Sequence, residues 1–166
     1  MAEELIDVFD GTGRCVGQVP RSRAHGDNTL LHHAAHVLVF SPDGRLLLQK
    51  RALTKRIQPG KWDASVGGHL AVGEDFEKGA RREMAEELGL PRETPLEFLF
   101  DVQIRNGIES EDARVYRAVS EGPFDFQKEE IDQVRFFTHE ELRDPRWRGL
   151  FTPCLKHELE LLYGGR

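Results

Sequence analysis

Apolar and polar residues alternate along this chain with two different periods, and the change of period marks the elements. Between Asp75 and Gly89 the apolar residues Phe76, Ala80, Met84 and Leu88 recur every four positions, which builds one stripe along a helix. Asp75 is placed to cap its start, Gly89 to end it in a left-handed residue, and Pro91 to stop it. Elsewhere the period is that of strands. Leu5–Phe9 and 14–19 flank Asp10-Gly11-Thr12-Gly13, and 35–40 and 45–49 flank Ser41-Pro42-Asp43-Gly44. Each pair predicts a hairpin around turn-forming residues. Further strands are predicted over 96–104, 114–119 and 134–137. Helices are predicted over 138–143 and 153–163, the latter with Leu155, Leu159 and Leu162 on one face. The pattern predicts a mixed α/β (α+β) domain, a sheet with helices on both faces, spanning residues 1–166 without a linker.

Composition narrows the partners. The chain has 166 residues, 31% of them charged, with a formal net charge of −6. An acidic surface without a basic stripe argues against a nucleic-acid polymer as partner. The opening MAEELIDVFDG lacks a signal-type apolar region, and no apolar run approaches a membrane span. A soluble cytoplasmic protein is the expectation, with a homodimer left open. Cys15 and Cys154 stand far apart, in no metal or redox spacing.

The helix that carries the apolar stripe also concentrates charge. Glu83 and Glu87 fall one turn apart on a common line at the edge of the stripe, with Glu86 on the flank and Arg82 four residues before it. Like charges at this spacing repel, and a carboxylate beside an apolar stripe is costly unless compensated. A divalent cation removes both penalties, and Mg²⁺ or Mn²⁺ bridging carboxylates to a substrate phosphate fits the donors. A solvated acidic helix accounts for Glu77 and Lys78, but not for the Glu83/Glu87 line or the bracketing glycines.

Gly68, Glu74, Arg82-Glu83, Glu86-Glu87 and Gly89, with aliphatic Leu88 and Leu90, stand at the spacing of the Nudix box. Such a match arises by chance on the order of once in 10⁹ windows at average residue usage. The segment Gly68–Leu90 therefore resembles an intact box of the Nudix hydrolase family. That resemblance implies a three-layer α/β/α sandwich with a mixed sheet, and Mg²⁺- or Mn²⁺-dependent hydrolysis of a small diphosphate, usually a nucleoside diphosphate derivative. It implies Glu83, Glu86, Glu87 and the Gly68 carbonyl as metal ligands, with Glu74 and Arg82 orienting them. Glu86 is the first choice for the base that takes the water proton. Glu129 and Glu130 are rivals, although a solvated loop is the simpler account of both.

Four histidines, His25, His32, His33 and His36, lie within twelve residues, and His69 follows Gly68. Imidazole is a common ligand for Zn²⁺ and Mn²⁺. The stretch AHGDNTLLHHAAH is similar to the corresponding part of type I isopentenyl diphosphate isomerases, which share a Nudix-type fold. By that resemblance His25, His32, His69, Glu109 and Glu111 would hold a second metal, Zn²⁺ or Mn²⁺, while Arg51 and Lys55 would contact the diphosphate. Two cations four residues apart suit a phosphate group on their own chemistry as well. His33 and His36 are read as ordinary surface or strand residues, and Trp62 as either a packing residue or a platform for a base. The chain departs from the isomerases at Gly67, where they carry a catalytic cysteine: glycine has no proton to donate to a double bond. With the box intact, hydrolysis is the expectation. An isomerase-like enzyme and a non-catalytic nucleotide-binding module are the alternatives.

Overall fold

Turn chemistry sets the first hairpin. The Asp10 carboxylate accepts from the backbone N–H groups of Thr12 (2.8 Å) and Arg14 (3.1 Å), and strands β1 (Leu5–Phe9) and β2 (Cys15–Pro20) pair antiparallel on either side. The computed structural model describes residues 3–164. The chain continues through a single turn, α1 (Arg21–Ala24), into β3 (Leu31–Phe40) and β4 (Leu46–Arg51), then the short strands β5 (Trp62–Asp63) and β6 (Val66–His69). Helix α2 (Phe76–Leu88) follows, then β7 (Glu97–Arg105), β8 (Ser110–Val119) and β9 (Ile131–Phe137). The helices α3 (His139–Arg143), α4 (Pro145–Arg148) and α5 (Pro153–Tyr163) complete the order.

Strand β3 is the centre of the mixed sheet. It runs parallel to β8 over its whole length and antiparallel to β6, and it touches β1 at its start and β4 at its end. Being covered on both faces, its second half, Val37–Phe40, reads as a continuous apolar run rather than an alternating one. Its even positions Ala34, Leu38 and Phe40 pack with Leu46, Leu48, Val115 and Phe137 against Leu142 of α3 and Leu155 and Leu159 of α5. Its odd positions Ala35, Val37 and Val39 pack with Leu47 and Tyr116 against Ala80, Met84 and Leu88 of α2. Two cores separated by one sheet make the three layers expected.

Helix α2 ends where its caps place it. Asp75 accepts from the Lys78 N–H at 2.8 Å, and Gly89 adopts a left-handed φ of 69°. Helix α5 starts on Thr152, whose hydroxyl accepts from Leu155 N–H (3.1 Å) and donates to Asp63 (3.0 Å), fixing the helix start to β5. Strands β3 and β8 begin four residues earlier than the apolar pattern indicates, and β9 three residues earlier; β5, β6, α1 and α4 are not visible in the pattern. The early parts of β3 and β8 carry His32, His33, Glu111 and Asp112, polar residues that look like strand ends until their partners are in place.

Candidate metal and phosphate site

Arg82 organises the acidic helix. Its Nε and one terminal nitrogen donate to both oxygens of Glu74 (2.8 and 2.9 Å), and the same terminal nitrogen donates to the His69 carbonyl (3.0 Å). The other terminal nitrogen donates to Glu83 (2.9 Å) and Glu86 (3.2 Å). Glu74 in turn accepts from Ala71 N–H at 2.9 Å, so one guanidinium ties the loop before α2 to the helix and to β6. Bidentate geometry of this kind is specific to arginine, and the Arg82 bond holds the Glu74 carboxyl below the ordinary range.

Glu87 is buried. It accepts from the Gln49 side chain at 2.8 Å, and Gln49 is itself anchored to the Ser65 carbonyl. Burial, then the charge of Glu83, pushes the Glu87 carboxyl well above the ordinary range. Glu83 lies against Gly68 so closely that a Cβ there would collide with its carboxylate. Glu86 is half exposed, 45% at its side chain, and faces outward. Glu87, held by Gln49, and Glu83, paired with Arg82, stand together beside a backbone with no side chain. Glu83, Glu86, Glu87 and the Gly68 carbonyl would hold a hard divalent cation, and oxygen donors of this type suit Mg²⁺ or Mn²⁺.

The histidines converge on the other face of the sheet. The parallel pairing sets His32 beside Glu111, and the antiparallel pairing sets His69 beside Ala34. His25 caps the end of α1. One Glu111 oxygen lies 3.1 Å from His32 Nε2 and 3.2 Å from His69 Nε2, and His25 Nε2 lies 3.1 Å from His69 Nδ1. Ligand atoms of His32, His69, Glu109 and Glu111 all fall within 4.8 Å of one another. Burial, then His69, holds the His25 imidazole down to about 4. Burial opposes the charge on Glu111, but the imidazoles of His32, His36 and His69 around it hold it ionised, well below the ordinary range. Imidazole and carboxylate donors together fit Zn²⁺ or Mn²⁺.

Arg51 donates to the Ile57 carbonyl (3.0 Å) and lies 3.5 Å from Asp63, and Lys55 is ion-paired with Glu130. Both cations therefore have protein partners that a phosphate would have to replace. Glu129 and Glu130 are exposed in the turn before β9, and the bond from Lys55 lowers the Glu130 carboxyl. Trp62 is a packing residue: it is buried, with its ring 5.0 Å from Phe137 and 6.2 Å from Trp147. His33 is an ordinary strand residue, stacked on Phe9 at 3.6 Å. His36 is not. It is buried on the α5 face, with Nδ1 3.0 Å from Glu158 and Nε2 3.6 Å from Glu111. Its shared parity with His32 along β3 was the available signal, and its partner 122 residues away gave none.

A family model of the NUDIX domain matches residues 30–154. The chain belongs to the Nudix family. This Nudix chain is 34% identical to an isopentenyl-diphosphate Delta-isomerase of Clavibacter michiganensis, over 96% of its own length and 86% of that protein. It is 36% identical to an uncharacterized Nudix hydrolase of Yersinia pestis, over 84% of its length and 75% of the relative. The crystal structure of DR0079 from Deinococcus radiodurans superposes with a TM-score of 0.80 at 23% identity, over 98% of this chain and all of that one, a likeness of fold. Nudix membership supports a hydrolase with a small-molecule substrate. In this Nudix domain strand β6 serves both clusters: Gly68 abuts Glu83 on the α2 side, while the ring of His69 joins the imidazoles on the α5 side. No helix among the described residues is long and apolar enough to cross a membrane.

Proposed function

We propose that this Nudix protein, as one domain over residues 1–166, is a metal-dependent pyrophosphohydrolase acting on a small nucleoside diphosphate derivative or a similar compound. The observation that carries the proposal is the complete carboxylate set on α2, clamped by Arg82 and Glu74, with Glu87 buried against Glu83 and, among the described residues, ion-paired with no Lys, Arg or His. Mg²⁺ or Mn²⁺, when bound, neutralises phosphate charge and lowers the pKa of an attacking water. Arg82 keeps Glu83 and Glu86 in register. Gln49 fixes the buried oxygen of Glu87. Glu86, the most exposed of the three, takes the water proton as the new P–O bond forms and the bridging P–O bond breaks. Arg51 and Lys55 exchange Asp63 and Glu130 for the substrate phosphates.

The imidazole cluster favours a second reading, an isopentenyl diphosphate isomerase-like enzyme with Zn²⁺ or Mn²⁺ held by His25, His32, His69, Glu109 and Glu111. Gly67 supplies no acid, which weighs against it. Incubating the protein with Mg²⁺ and a panel of nucleoside di- and triphosphates, sugar nucleotides and isopentenyl diphosphate, followed by chromatography, separates the two. Cleavage of a phosphoanhydride supports the hydrolase. An isomerised diphosphate as the only product supports the second reading, and binding without turnover supports a nucleotide-binding module.

A further inference from the structure

We propose that His36, Cys154 and Glu158 form a further metal centre, adjoining the imidazole cluster through Glu111 but with ligands of its own, which takes a thiolate-accepting cation such as Zn²⁺ and fastens α5 to the middle of the sheet. Cys154 and Glu158 are one helical turn apart on α5, with the sulfur 3.4 Å from one Glu158 oxygen. The other Glu158 oxygen lies 3.0 Å from His36 Nδ1. The three ligand atoms all fall within 4.8 Å of one another. Tetrahedral Zn²⁺ with bonds of about 2.0–2.3 Å holds its ligand atoms roughly 3.3–3.8 Å apart, so small rotations of existing side chains bring these three donors to such spacing and leave the fourth position to a water.

Donor type and charge agree with the distances. Imidazole, thiolate and carboxylate together select Zn²⁺ over Mg²⁺, because sulfur is a soft ligand. Glu158 is fully buried, 0% exposed, on a helix face otherwise filled by Leu155 and Leu159. A buried anion needs a compensating charge, and among the described residues only His36 reaches this one. A dication cancels the thiolate and the carboxylate together. The outer contact is present as well: with Nδ1 as ligand, Nε2–H of His36 faces a Glu111 oxygen at 3.6 Å, the carboxylate–imidazole pairing that orients metal-binding histidines. Gly67 leaves that ring edge uncovered, since a Cβ there would sit 3.2 Å from it.

The test is independent of any activity. Metal-stripped protein titrated with Co²⁺ should develop the near-ultraviolet charge-transfer band of a thiolate–cobalt bond. Cys15→Ser should keep the band, because Cys15 is exposed on β2. His25→Ala, which opens the neighbouring imidazole cluster, should keep it too. Cys154→Ser, nearly isosteric, should lose it with an unchanged circular dichroism spectrum. Glu158→Gln should weaken Co²⁺ binding at least as much as the ~10–100-fold that follows loss of an outer hydrogen-bond partner. Absence of the band in the wild type, or its survival in Cys154→Ser, would overturn the proposal.

Discussion

Glu87 carries opposed demands: it packs like a core residue and is charged like a ligand. Its folded carboxyl lies well above the ordinary 4.5 because burial and Glu83 disfavour the anion. Folding therefore favours the protonated form, so stability is fullest below the unfolded value and declines as pH rises through the window between the unfolded and folded values. Glu87→Gln removes that titration and keeps an oxygen to accept from Gln49. In chelator the variant should melt with the wild type near pH 4 and progressively above it toward neutrality, and Mg²⁺ should reverse the order. Thermal melts across pH check this, and a pH-independent difference would speak against it. Arg51 and Lys55 belong to the same scale. A charge-assisted bond to phosphate contributes roughly 1.5–3 kcal/mol, so Arg51→Ala or Lys55→Ala should lower kcat/KM about tenfold or more. The Lys55–Glu130 pair is partly exposed, and such pairs add little to stability. A change in melting temperature without one in kcat/KM would make both residues structural.

At the scale of elements, α2 and β6 form a unit whose spacing depends on Gly68. Gly68→Ala should displace the Glu83 carboxylate, the flexible end of its side chain, rather than the backbone. The fold should persist while the Mg²⁺ concentration for half-maximal rate rises, and a metal titration of the variant reads this directly. Helix α2 was legible in the sequence because its signals are local: an Asp75 cap, a four-residue stripe and Gly89. The starts of β3 and β8 were not, because His32 and Glu111 satisfy each other only across the parallel ladder. Strand β6 was hidden for a related reason, since Gly67 and Gly68 carry no side chains from which to read a period. The role of His36 depends on a residue of α5, and local pattern has no access to that contact.

At the scale of the whole molecule, one sheet separates two clusters of opposite chemistry. Oxygen donors face α2, imidazoles and carboxylates face α5, and His69 reaches both, through its carbonyl to Arg82 and through its ring to Glu111. The α2 cluster could be read in advance as a box of residues at fixed spacing. The α5 cluster could be anticipated only through resemblance, because His25, His32, His69, Glu109 and Glu111 come from four separate segments of the chain. We propose the α2 cluster as the seat of catalysis. Steady-state hydrolysis by Glu86→Gln and Glu87→Gln at saturating Mg²⁺, on whichever diphosphate the wild type cleaves, tests it most directly. Each change keeps the side-chain volume and deletes one charge, so folding should be preserved while most turnover is lost. Wild-type rates in both variants would contradict the assignment.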